Sequence, residues 1–258
     1  MQPAELGASE VVVGPGVRFS IGGTLSRTFG VWKRNWPFLL VVAVLAQLPG
    51  FLVSLTLPAG GSLVSPGARI ASTLDSIFGY VATGLVTVSV LDQLRGGPRN
   101  YRRSLSVGAS RLSPLIGTAF GTGFLQGLLL LMLVVPGVIA LVRWVLVAPI
   151  VVLELRAEPR GRSSALTAGH RWEIFGIFVV FLGALVALSL GLGVATEALG
   201  PLVGAGDSLA GSLLTDALAA LPGPLFLSFQ SVLEVVLYEQ LRAEKEGVDV
   251  TQLAAVFE

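Results

Sequence analysis

Residues 131–172 read LMLVVPGVIALVRWVLVAPIVVLELRAEPRGRSSALTAGHRW. An apolar run meets Pro136-Gly137 and turns. A second apolar run follows and ends at Glu154 and Arg156. A basic segment rich in Ser and Ala then leads to Trp172, where the next apolar run begins. Lipid offers the backbone no partners, so a chain crosses it as helices or as a closed barrel. Two such runs joined by a Pro-Gly turn therefore read as an antiparallel helical hairpin with its connector. The chain uses this unit three times.

The totals agree. Of 258 residues, 53% are hydrophobic and 13% charged, where a soluble domain carries about 25% charged residues. The expectation is an all-α, polytopic membrane protein: one transmembrane domain over residues 1–258, with short cytoplasmic tails at 1–16 and 242–258. The first 16 residues carry Glu5 and Glu10 and no Lys or Arg, which is unlike a signal peptide. There is no cysteine, hence no disulfide, thiolate metal site or cysteine nucleophile.

Working outward from the central hairpin, six spans are expected at about 37–57, 70–94, 114–135, 138–155, 173–195 and 213–241. Pro136-Gly137 is the tight turn between the third and fourth, and Pro222-Gly223-Pro224 interrupts the sixth. The third contains two GxxxG spacings, Gly117–Gly121 and Gly123–Gly127. Small residues let helices approach closely in lipid. An offset of six residues, about 240°, puts the two pairs on different faces and predicts packing against two neighbours. Each hairpin follows a basic segment, at 20–34, 101–112 and 161–171, predicted to be an interfacial helix.

The charges give an orientation. Fifteen of the 17 Lys and Arg lie on the side of the termini, leaving Arg69 in an opposite loop and Arg143 inside the fourth span. The positive-inside rule then puts both termini in the cytoplasm and the protein in the inner (plasma) membrane. The even spans share an ending with a carboxylate before an arginine: Asp92 before Arg95, Glu154 before Arg156, Glu239 before Arg242. Three parallel units of this kind predict a pseudo-threefold arrangement.

Arg143 is costly in lipid, by about 2.5–3.5 kcal/mol at a helix centre. Asp75 and Asp216, on the second and sixth spans, are its candidate partners. Glu234 is the carboxylate set deepest in a span without a local partner. Arg143, Asp75, Asp216 and Glu234 thus form the candidate intramembrane polar site. Anionic headgroups have candidate contacts at Arg34, Arg102, Arg103, Arg111, Arg160, Arg162 and Arg171.

Enzyme signatures are missing. His170 is the one histidine and lies on a connector, and no HExxH, Walker or Rossmann pattern occurs. Gly204-Ala205-Gly206-Asp207 spells GxGD, but in a Gly-rich loop without a matching Tyr-Asp. No cofactor or metal is expected.

The segments FSIGGTLSRTFGVWKRNW (residues 19–36), VVPGVIALVRWVLVAPIVVLE (134–154), RSSALTAGHRWEIFG (162–176) and LYEQLRAEKEGVD (237–249) carry a resemblance. The chain resembles a family of bacterial six-helix membrane proteins, the glycerophosphodiester phosphodiesterase membrane domain and its YciC-like relatives. The family name comes from members fused to a soluble catalytic barrel, and no barrel is present, so no catalytic residue carries over. The resemblance implies a membrane module.

The expected function is a non-enzymatic integral membrane module that organises lipids or partner proteins at the cytoplasmic face. Its partners would be anionic lipids and a membrane protein, not nucleic acid. A small-solute transporter or channel with a site near Arg143 is the alternative, and a lipid-processing enzyme a third. A solvent cavity lined by Arg143 and Glu234 would favour transport; a sealed core would favour the module.

Overall fold

Six apolar stretches are long enough to cross a bilayer, which makes the chain a multi-pass helical membrane protein. The computed structural model describes residues 19–54, 56, 65–97, 100–154, 158–204 and 208–246. The described residues form helices and no strand. The expected tails at 1–16 and 247–258 lie outside them, as do residues 205–207 of the GxGD sequence. Arg242 to Glu246, placed in the tail by sequence, are the last turns of a helix.

Helix α1 (Ile21–Ser54) is one 34-residue helix. A separate interfacial helix was expected over 20–34, ending before Pro37. Pro37 removes only one N–H, and the helix continues because Asn35, Leu39 and Val42 on either side are buried. Helix α2 (Pro66–Leu94) starts with a Ser65 cap that accepts from the Ala68 N–H, and Pro66 fits its first turn. Two connectors are helices of their own, α3 (Tyr101–Ser110) and α7 (Pro159–Leu166).

The central hairpin differs from its sequence reading in two places. Helix α4 (Leu112–Met132) ends at Leu133, a single extended residue, and α5 (Val134–Trp144) follows at once. Pro136 and Gly137 are therefore the first turn of α5, not the turn between helices. Proline is tolerated there because first-turn N–H groups have no helical acceptor anyway. The fourth span then breaks again, at Val145 and Leu146, before α6 (Val147–Leu153). Pro149 explains that break: it brings no N–H to the carbonyl four residues back.

Helix α8 (Arg171–Leu199) leads through a 3₁₀ turn to α9 (Leu209–Ala220), and α10 (Pro222–Glu246) completes the chain. The Pro-Gly-Pro interruption of the sixth span is the α9–α10 junction at Leu221.

Helices α1, α2 and α10 make one core, with Leu39, Ala43, Val86, Val90, Val232 and Val236 packed together. Short α6 touches α2, α4, α7 and α10, and its Val147, Ala148 and Ile150 are fully buried. Around Leu146, Ile150, Ile174, Ile177, Leu233 and Leu237 a second core joins α6 and α10 to α8. Helix α4 lies outside these two cores and α8 enters them only through its first turns, leaving Phe120, Phe124, Val180 and Leu190 exposed. Such apolar outer faces suit lipid.

The GxxxG expectation is corrected. Helix α4 buries Leu115, Ala119 and Thr122 instead, a stripe at helical spacing. A Cβ added at Gly117, Gly121, Gly123 or Gly127 would meet nothing within 4 Å. A glycine that does permit a close approach between helix backbones is Gly108 in α3, where a Cβ would stand 2.7 Å from Leu85 Cα in α2. Gly108→Leu is thus expected to destabilise the fold by about 1–3 kcal/mol. Gly123→Leu should leave stability nearly unchanged. Thermal unfolding of both variants in detergent checks the contrast.

Candidate functional site

Each connector is sewn to a neighbouring helix or helix break by a hydroxyl and an ion pair. In α3, Ser104 Oγ accepts from the Ser89 N–H at 2.9 Å and donates to the Leu85 carbonyl at 2.6 Å. Leu85 and Ser89 are four residues apart in α2, so the hydroxyl enters its backbone ladder. In α7, Ser163 Oγ accepts from the Leu146 N–H at 3.2 Å and donates to the Arg143 carbonyl at 2.7 Å. These are backbone groups at the α5–α6 break. In the first half of α1, the Thr24 hydroxyl donates to Gln240 Oε1 of α10 at 2.7 Å.

The ion pairs follow the same plan. Arg103 of α3 is 3.7 Å from Asp92 at the end of α2. Arg162 of α7 is 2.9 Å from Glu154, just past α6. Arg27 of α1 is 3.1 Å from Glu239 near the end of α10, close enough for an ion pair though not aligned as a hydrogen bond. These three carboxylates are the ones the shared helix endings single out. Each is met by an arginine of a connector: α3 docks on α2, α7 on α5 and α6, and α1 on α10. The last contact joins the first and last of the described helices.

The α7 seam is the most developed. Arg162 grips Glu154 through both Nε and Nη2, at 2.9–3.1 Å, and also meets Glu246. Tyr238 donates to Glu154 at 2.9 Å, and Arg242 donates to the Tyr238 oxygen at 3.1 Å. Lys245 Nζ donates to the Ala165 and Ala168 carbonyls at 2.6 Å, which closes the C-terminal end of α7. Hydrogen bonding to Glu154 raises the Arg162 pKa above its ordinary value, so that guanidinium stays charged. A second network joins α1, α2 and α3: Tyr101 donates to Asn35 Oδ1 at 3.0 Å, and Asn35 donates to Gln93.

These contacts sort the candidate lipid arginines. Arg162 is largely buried and committed to two carboxylates, so it is structural. Arg103 shares its charge with Asp92. Arg111 and Arg171 are half-buried, and Arg171 Nε is enclosed without a hydrogen-bond partner. Arg34, Arg102 and Arg160 are exposed and unpaired among the described residues, as is Lys33.

The candidate intramembrane site does not assemble. Arg143 is exposed, nine residues into α5, beside the α7 connector whose Ser163 bonds its carbonyl. Asp216 is exposed on α9, and among the described residues neither it nor Asp75 pairs with Arg143. Asp75 instead lies where a Cβ at Gly50 would be, and Gln47 fills the corresponding space over Gly223. Glu234 is buried and accepts from Gln230 Nε2 at 2.9 Å. Arg143 and Glu234 thus face different surroundings. Among the described residues no group of His, Asp and Glu could hold a metal.

Sequence reading found the seam carboxylates but missed Ser104, Ser163 and Tyr238. A small pair four residues apart in each connector was the available signal: Thr24–Thr28, Ser104–Gly108 and Ser163–Thr167 are all buried. The chain matches no family model, no curated protein and no solved structure.

Breaking the α7 seam tests its weight. Arg162→Ala removes the two-point clamp on Glu154, which keeps the Tyr238 hydroxyl, and is expected to cost about 1–3 kcal/mol. Adding Glu154→Gln should recover part of that loss, so the double variant is less destabilised than the sum of the singles. Thermal unfolding over the four-member cycle measures the coupling.

Proposed function

We propose that the protein is a non-enzymatic integral membrane module that organises anionic lipids or a membrane protein partner at the cytoplasmic face. The observation that carries this reading is the division of labour among the connector charges. Arg27, Arg103 and Arg162 hold the connectors to the helix ends. Lys33, Arg34 and Arg102 are left exposed beside them. A cation near an anionic membrane surface attracts lipid by about 1 kcal/mol each. Fixing the connectors to the bundle keeps those cations at one level. The resemblance to the barrel-fused family supports the same reading, since it implies a membrane module without its own catalytic residues.

In the proposed arrangement the three seams are related by a pseudo-threefold axis along the membrane normal, with connectors at the headgroups. The placement of Arg143 and Glu234 in different surroundings weighs against the transport alternative.

Two measurements test this. A cysteine at exposed Ser106 should react with an impermeant thiol reagent only after lysis, and one at Ser208 in intact cells. The opposite labelling would refute the orientation. Purified protein should retain phosphatidylglycerol over phosphatidylcholine in native mass spectrometry. Arg34→Glu with Arg102→Glu should reduce that preference by about thirtyfold or more at unchanged thermal stability, the loss of two surface attractions of about 1 kcal/mol each. Equal retention of both lipids by the unaltered protein would refute lipid organisation by this face.

A further inference from the structure

A cleft of about 470 Å³ opens between α4 and the start of α7. Gly117, Thr118 and Gly121 form one wall, and Glu158 to Gly161 the other. The glycines make the space: a Cβ at Gly117 or Gly121 would touch nothing within 4 Å. Its two charged residues have opposite sign. Arg160 and Glu158 are both exposed, and neither has an ion-pair partner among the described residues. Glu158 stands at the N-cap of α7, where a carboxylate suits the helix dipole, but makes no capping bond, so its oxygens stay open to a ligand.

Charge decides what fits. A purely anionic headgroup would sit beside Glu158, and a purely cationic ligand beside Arg160. A group carrying both a phosphate and an ammonium satisfies both, through charge-assisted hydrogen bonds to each. The Thr118 hydroxyl adds a neutral partner. The source of that group follows from α4. Gly117, Gly121, Phe124 and Leu128 lie on one helical face, and Phe124 and Leu128 are 68% and 43% exposed. The polar cleft therefore continues into an open apolar stripe, which a soluble headgroup would leave unused and an acyl chain would cover.

The geometry points to a binding site for an amine-bearing phospholipid of the ethanolamine type: Arg160 holds its phosphate, Glu158 its ammonium, and Phe124 with Leu128 one acyl chain. This rests on the lipid-organising reading above but adds a separate, zwitterionic specificity to the anionic preference of Arg34 and Arg102.

The test uses the full chain in detergent, with lipid adducts counted by native mass spectrometry. The probes are dioctanoyl phosphatidylethanolamine, dioctanoyl phosphatidylcholine, dioctanoyl phosphatidylglycerol and free phosphoethanolamine. The ethanolamine lipid should bind about tenfold tighter than the choline lipid, whose quaternary nitrogen offers no donor for Glu158, and than free phosphoethanolamine, which has no chain. Glu158→Gln should lose about tenfold for the ethanolamine lipid and nothing for phosphatidylglycerol, the size expected for one charged hydrogen bond. Gly121→Leu, whose Cβ has nothing within 4 Å and whose side chain extends into the open cleft, should lose the ethanolamine lipid while thermal stability holds. Arg34→Glu with Arg102→Glu should leave it bound, so failure of the anionic face and failure of this site read out separately. Equal binding of ethanolamine and choline lipids, undiminished binding by Gly121→Leu, or free phosphoethanolamine binding as tightly as the lipid would each overturn the site.

Discussion

The interaction on which the structure depends is the pair of hydrogen bonds Ser163 makes at the α5–α6 break. Within a membrane protein an unpartnered backbone group costs several kcal/mol. Pro149 makes the break, and the Leu146 N–H and Arg143 carbonyl lie on either side of it. One hydroxyl satisfies both. That allows a seven-residue α6 to form a helix of its own among α2, α4, α7 and α10. Six of its residues are buried, and the packing of Ile150 with Leu233 and Leu237 joins the central hairpin to α10. Ser163 is itself held in place because its neighbour Arg162 is clamped by Glu154 and Glu246.

The same logic recurs with lighter hardware. Ser104 enters the ladder of an unbroken helix, where no group lacks a partner, so it mainly fixes the position of α3. Gly108 one turn later lets the two backbones close up. Across its seam Thr24 reaches a side chain, Gln240, and no backbone group. The first connector needs less fastening because it is continuous with α1, whose own ladder positions it. The three seams thus grade from splint to latch to contact, in step with how independent each connector is.

Much of this architecture was legible in the sequence, and the parts that were not share a cause. The six apolar runs are a bulk property of the chain and survive folding. So does the meaning of Asp92, Glu154 and Glu239, because a carboxylate at a helix end next to a basic connector finds a cation nearby. The failures concern what one segment does to another. Pro136-Gly137 looks like a turn until the first-turn rule places it inside α5. Gly117 and Gly121 look like packing sites until Leu115, Ala119 and Thr122 take the buried face. Arg143 looks paired with Asp75 or Asp216 by depth alone, but depth says nothing about azimuth: one turn of helix either way carries a side chain from bundle to surface. Ser163 is a common residue in a polar connector, and nothing local marks it as the partner of groups 17 and 20 residues earlier.

The locks at the opposite end of the core add a mechanical constraint. Asp75 occupies the space over Gly50, and Gln47 that over Gly223, so α1 is engaged with α2 on one side and α10 on the other. Those two glycines follow Pro49 and Pro222, where the helical ladder already lacks a donor and polar side chains have reason to approach. At the other end α1 is tied to α10 through Thr24, Arg27 and the Trp32–Ser228 hydrogen bond of 3.0 Å, and to α2 through Asn35. A helix fastened at both ends to both neighbours resists the rocking that alternating access needs. It is well suited to holding charges in a fixed pattern. The proposed lipid-organising role follows from that stiffness: headgroup recognition by sparse, unpaired charges works only if the backbone beneath them keeps their spacing.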